Sequence, residues 1–176
     1  MADCVNALKE WTGKARATIV FDSTVDEFTH KGLFTKVGGK PNIALVGFTT
    51  EGDVFGGFYS RAVTEQEHGF NDPNIFIFSF ESHGRCMTPQ RFVVYEGLKE
   101  WASVMFFKNY NWGFVEFGVV RFGGFLLGNE RSDSNCQCLS GAFEGLKNTT
   151  LTGQNNTDRR KRPYHHCTRL VAVQLG

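Results

Sequence analysis

The chain has 176 residues, 41% hydrophobic and 21% charged, which excludes wholesale disorder or a fibrous structure and leaves room for one sizeable core. Nineteen basic against 18 acidic side chains give a net charge of +1, too small for a global field that would draw nucleic acid or acidic membranes. Eighteen Phe and 20 Gly tilt the composition towards strands and turns.

In chain order, Val5, Leu8 and Trp11 recur at helical spacing and Gly13 follows, which predicts a short amphipathic helix. Residues 17–21 read as a strand. Thr24-Val25-Asp26-Glu27 has the pattern of a capping box, with the Thr24 hydroxyl meeting the Glu27 N–H and the Glu27 side chain reaching back. The helix expected after it carries Phe28, Leu33, Phe34 and Val37 and stops at Gly38-Gly39.

Short strands then take over. Residues 43–48 and 54–60 flank a five-residue turn, as in a hairpin with a longer loop. Residues 75–80 are apolar on both alternating faces, so this strand is expected to be central and covered on each side. Further strands are predicted at 91–96, 103–107, 114–122 and 169–175, and Ser82-His83-Gly84 and Asn109-Tyr110-Asn111 supply turn formers between them. Residues 145–162 are polar and rich in Asn and Thr, which suggests a long exposed loop. Many short strands with a few marginal helices point to a single mainly β domain of the α+β kind, a sandwich of two antiparallel sheets with peripheral helices.

The N-terminus has no basic region followed by an apolar stretch, and no window approaches the roughly 18 apolar residues of a membrane span, so a cytosolic or nuclear protein without membrane insertion is expected. Cys4, Cys86, Cys136, Cys138 and Cys167 are odd in number, and reduced thiols fit that setting better than a disulfide framework. The sequons at Asn148 and Asn155 are then coincidences in a polar loop.

Several motifs invite chemical readings. Phe55-Gly56-Gly57-Phe58 lacks the Lys and Ser/Thr of a phosphate loop and the spacing of a dinucleotide fold, so its glycines are expected to serve a bulge or a close approach. Asp22, Thr24 and Asp26 alternate like the first ligands of a calcium loop, but Glu27 and Leu33 stand where that loop needs Gly and Glu. Cys136, Cys138, His165, His166 and Cys167 are zinc-compatible ligands at spacings unlike the usual pairs. Glu65, Glu67 and His68 could form an acid/base pair, yet no nucleophile elbow or HExxH is present, and no cofactor is expected. Arg159, Arg160, Lys161 and Arg162, beside Tyr164, His165 and His166, form a local basic patch for nucleic acid, with a solvated loop as the plainer reading.

Val54-Phe55-Gly56-Gly57-Phe58 followed by Asp72-Pro73-Asn74-Ile75-Phe76-Ile77-Phe78-Ser79-Phe80 resembles the core of the TLDc domain, in which a strand of the FGG type precedes an acidic loop and an FLFSL-like strand. Leu8-Lys9-Glu10-Trp11-Thr12-Gly13-Lys14 and Ile19-Val20-Phe21-Asp22-Ser23 are similar to the opening of short, stand-alone TLDc proteins of unicellular eukaryotes, and residues 167–175 resemble their final strand. Phe117-Gly118-Val119-Val120 and Val171 depart from the longer glycine run and the last-strand acid of animal members, so no functional residue tied to those features carries over. The resemblance implies a sandwich fold, a role in oxidative-stress resistance, and a non-enzymatic protein-interaction module whose partner in several members is the vacuolar proton-pumping ATPase. A nucleic-acid-binding regulator using the basic loop and a small thiol- or zinc-dependent enzyme are the alternatives.

Overall fold

The computed structural model describes residues 2–108, 113–120, 122–128, 135–153 and 167–176. Its strands are β1 (Ala17–Asp22), β2 (Ile43–Thr49), β3 (Val54–Tyr59), β4 (Phe70–Asn71), β5 (Phe76–Glu81), β6 (Gln90–Val93), β7 (Ala102–Phe106), β8 (Val115–Val119), β9 (Gly123–Leu127), β10 (Asn135–Gln137) and β11 (Cys167–Leu175). Helices α1 (Ala2–Thr12) and α2 (His30–Val37) precede the hairpin of β2 and β3. One sheet has six strands in the order β1-β11-β2-β3-β5-β6, and the other has five in the order β10-β9-β8-β7-β4, every pair antiparallel. The result is the expected sandwich with helices at its margins.

The lack of hydrophobic alternation in β2, β3, β5 and β11 follows from burial on both faces. Inward, Leu45, Phe55, Tyr59, Ile77 and Leu170 meet Val104, Phe117, Phe125 and Leu127 of the second sheet. Outward, Ala44, Val46, Phe58, Phe76, Phe78, Val171 and Val173 lie under Leu8 and Trp11 of α1. β5 has β3 on one side and β6 on the other, and Phe76, Ile77 and Phe78 are all buried, as its composition predicts. The Trp11 ring spans the row, edge-on to Phe76 at 6.2 Å and stacked on Phe80 at 5.8 Å.

The loop entering β5 is clamped by one carboxylate. Asp72 is fully buried and accepts from the Ser60 N–H at 2.5 Å, the Ser60 hydroxyl at 2.9 Å, the Arg61 N–H at 3.1 Å and the Asn74 N–H at 3.0 Å. Four donors satisfy the charge and fix the end of β3 against the start of β5.

Four sequence expectations need correction. No capping box forms at Thr24, because its hydroxyl donates to Asp22 at 2.8 Å. Helix α2 starts later, and the Thr29 side chain takes the Gly32 N–H at 3.0 Å. Phe28 therefore precedes the helix and packs its ring 5.0 Å from that of Phe114. The stretch 114–122 is not one strand, since β8 ends at Val119 and the chain turns into β9. Residues 91–96 stop being a strand after Val93, where a bridge from Val94 to Phe143 leads into a 3-10 turn over Glu96–Trp101. The first part of the polar loop is packed, with Leu146, Thr150 and Leu151 buried; the remainder up to residue 166 lies outside the described residues.

Candidate functional site

The most organised polar cluster among the described residues lies where the β2–β3 turn meets the loop after β5. The turn closes through the Thr49 N–H to Asp53 O at 3.0 Å and the Asp53 N–H to the Thr49 hydroxyl at 3.0 Å, which leaves the Asp53 side chain pointing into a site where the residue is 2% exposed. After β5 the chain reverses sharply through His83 (φ +50) and Gly84 (φ +80). Glu81 holds that reversal by accepting the N–H groups of His83 at 2.7 Å and Ser82 at 2.9 Å, and these bonds lower its carboxyl below the usual range. Ser82 is buried and its hydroxyl accepts the Cys86 N–H at 2.7 Å.

This geometry folds His83 and Arg85 back onto Asp53. His83 Nδ1 lies 2.9 Å and Arg85 Nη2 2.5 Å from the same oxygen, Asp53 Oδ1. Arg85 also donates to the carbonyls of Thr150 at 3.1 Å and Leu151 at 2.9 Å, so one guanidinium ties three segments distant in sequence. With a carboxylate accepting at Nδ1, the hydrogen of that bond sits on Nδ1, and the side chain is 53% exposed. The adjacent Ser82 hydroxyl is buried and committed to Cys86, so the cluster serves as a junction. Asp53→Ala is expected to cost about 3 kcal/mol, because it strands Arg85 among carbonyls beside a site only 3% exposed. Urea titration checks this, and a loss below about 0.5 kcal/mol, the range of an ordinary surface change, would show the junction to be dispensable.

The residues singled out by sequence fall elsewhere. Gly56 and Gly57 lie in mid-β3, where an added Cβ at Gly56 would stand 1.8 Å from Leu45 O and one at Gly57 would stand 2.7 Å from the Phe117 ring of the facing sheet. Phe55 points inward, 5.9 Å from Phe125, while Phe58 points outward and stacks on Phe76 at 4.8 Å. Asp22 receives Arg169 through Nε at 3.0 Å and Nη2 at 2.5 Å; these bonds hold its carboxyl well below the usual range. Asp26 pairs with Lys36 at 2.8 Å, so the calcium-like alternation faces the protein's own cations. No group of three or more His, Cys, Asp or Glu suited to a metal occurs among the described residues.

Cys4, Cys86, Cys138 and Cys167 are free thiols. Cys167 opens β11 in the core, and burial pushes its thiol up to about 11 although Arg169 is two residues away, since that guanidinium is spent on Asp22. Strong reductant is expected to leave the melting temperature unchanged, and alkylation of Cys167 at neutral pH to proceed only on unfolding. A large drop in melting temperature on reduction would reveal a bridge. In the acidic stretch Glu65-Gln66-Glu67 both glutamates are exposed, and Gln66 donating to Phe107 O at 2.7 Å and Glu67 receiving the Lys108 N–H moor the stretch to the end of β7. His68 lies edge-on to Phe70 at 5.5 Å. Arg159, Arg160, Lys161, Arg162, His165 and His166 lie outside the described residues, as does the Cys136 side chain.

The Asp53–His83–Arg85 junction was missed because Asp53 is 30 and 32 positions from its two partners and the residues sit in stretches that read locally as turns. A comparison with curated proteins finds no match. The TLDc domain family matches residues 3–159, which span α1, both sheets up to β10 and the FGG and Asp72 segments described above. With that match over most of its length, the chain belongs to the TLDc domain family.

Proposed function

We propose that this domain works by docking onto another protein in the response to oxidative stress, with a vacuolar-type proton-pumping ATPase as the leading partner, and that it performs no catalysis of its own. The observation that carries the proposal is the family match, because TLDc modules are generally linked to oxidative stress and are generally non-catalytic. The architecture suits the role, since a sandwich buried on both sides of its larger sheet holds loops and sheet edges rigidly for contact. The polar stretch 145–162 and the acidic stretch Glu65-Gln66-Glu67 are the surfaces offered for contact. Within the first, residues 145–153 are part of the core packing, so a docking variant must leave Leu146, Thr150 and Leu151 in place.

The test is capture of partners from the native cell with and without peroxide, followed by reconstitution with the purified ATPase. Deleting residues 154–162 should abolish capture and leave the melting temperature unchanged. Retention of a nucleic acid that is lost with rising salt and with neutralisation of Arg159, Arg160, Lys161 and Arg162 would favour the basic-loop alternative. Turnover of a small molecule that disappears on changing one Cys or His would place the protein in a different functional class.

A further inference from the structure

Each sheet of the sandwich has two edges, and three of the four are short or guarded. β4 has two residues and β10 three. β6 carries Arg91, whose guanidinium donates to Trp11 O at 2.5 Å. Its far end is covered by residues 142–144 through the Glu144 N–H to Val93 O at 2.8 Å and the Tyr95 N–H to Ala142 O at 3.2 Å. β1 differs. Ala17-Thr18-Ile19-Val20 is an uncharged run of strand formers with no proline, and Ile19 is 51% exposed. Helix α2 packs against β1 from the inner side, where Leu33 and Val37 join Phe21 in the core, but no described residue pairs with the outer edge of Ala17–Ile19, and an edge without a charge, a proline or a paired strand is a template for another strand.

The register states which groups are free. Arg16 and Gly176 exchange hydrogen bonds in both directions, at 2.7 and 3.0 Å, so in the antiparallel alternation Thr18 turns its backbone groups towards its partner Gln174. The N–H and C=O of Ala17 and Ile19 therefore point away from β11, and no described residue meets them. Beyond the irregularity at Val20 the edge is closed, because the Asp22 N–H is taken by Asp26 Oδ2 at 2.9 Å.

We propose that β1 is a self-association edge, on which a second copy of this chain pairs antiparallel about Thr18 and joins the two six-stranded sheets into one. A two-fold arrangement matches Ala17 of each copy with Ile19 of the other, satisfies the four outward groups of both copies and covers one flank of each exposed Ile19 side chain. Charge favours the same orientation. The basic start of the strand, Lys14 and Arg16, comes to lie by the end where exposed Glu27 follows Asp22 and Asp26, whose own cations are Arg169 and Lys36. Parallel pairing would set like ends together.

Sedimentation equilibrium of the full chain from micromolar to near-millimolar concentration should show the mass rising from 19.8 kDa towards twice that value. Ile19→Lys should weaken the dimer about tenfold or more, since each interface gains two charges, while the melting temperature holds because the side chain is already half exposed. Ile19→Val should leave association intact. Thr18→Cys supplies a test that does not depend on weakening anything. Two copies paired about Thr18 bring these Cα atoms to about 4.5 Å, within reach of a disulfide, so mild oxidation should give a reducible covalent dimer. Val25→Cys, 84% exposed but off the edge, should not. A monomer at every concentration, a dimer indifferent to Ile19→Lys, or equal cross-linking by both cysteines would each overturn the proposal, as would a β1 edge that takes up only a strand from a different protein.

Discussion

Gly56→Ala is expected to cost about 4 kcal/mol or more, in the range reserved for changes the fold cannot absorb. The added methyl would stand 1.8 Å from the carbonyl oxygen of Leu45, an atom of the neighbouring strand, and 2.8 Å from the Phe78 ring. Relief requires moving β2, which is held by β3 on one side and β11 on the other. Gly57→Ala differs in kind, because its near contacts are the atoms of one side chain, the Phe117 ring. Phe117→Leu should therefore recover part of the stability lost by Gly57→Ala, and no comparable change at Phe78 should rescue Gly56→Ala. A double-mutant cycle in urea measures both couplings. Equal rescue in the two cases would mean that the backbone contact at Gly56 is not the limiting one.

Phe78→Ala should cost about 3–5 kcal/mol, the usual range for removing a fully buried aromatic ring. The ring is 0% exposed, lies 4.8 Å from Phe80 and 6.1 Å from Trp11, and forms the floor on which α1 rests. The variant should also loosen α1, so the near-ultraviolet circular dichroism of the aromatic cluster should weaken before the main thermal transition. If stability falls while that signal is unchanged, the helix is held by other contacts, such as the Arg91 hydrogen bond to Trp11 O.

The parts of the fold legible in the sequence are those in which one local pattern decides the outcome. Residues 75–80 have no polar face, and only a strand covered on both sides accommodates that; the residues 43–48 and 54–60 bracket an obvious turn. The misses occur where distant groups compete with a local rule. Thr24 and Glu27 have the letters of a capping box, but Asp22, fixed by Arg169 from the far end of the chain, takes the Thr24 hydroxyl. The strand expected over 114–122 overran the end of β8 because the Val120-Arg121-Phe122 connection contains none of the usual turn formers, and β9, which begins at Gly123, was not foreseen. Leu146 and Leu151 sit in a polar stretch that reads as solvent-exposed, and they are buried because Arg85 fastens the Thr150 and Leu151 carbonyls to Asp53. The junction itself has no sequence signature, since its order is a property of three loops brought together by the sheets.

The position of β11 has a kinetic meaning. Its register joins Ala17 to Leu175 and Val46 to Val171, so the strand that completes the larger sheet is the last of the sequence, inserted between two of the first. During synthesis β1 and β2 must wait, each with an unfilled side, until residues 167–175 have been made. Contacts of such long sequence separation slow folding and prolong the exposure of unpaired strands. The nascent chain is thus most vulnerable to mispairing and to chaperone capture while β1 and β2 have been made and the nine residues of β11 have not.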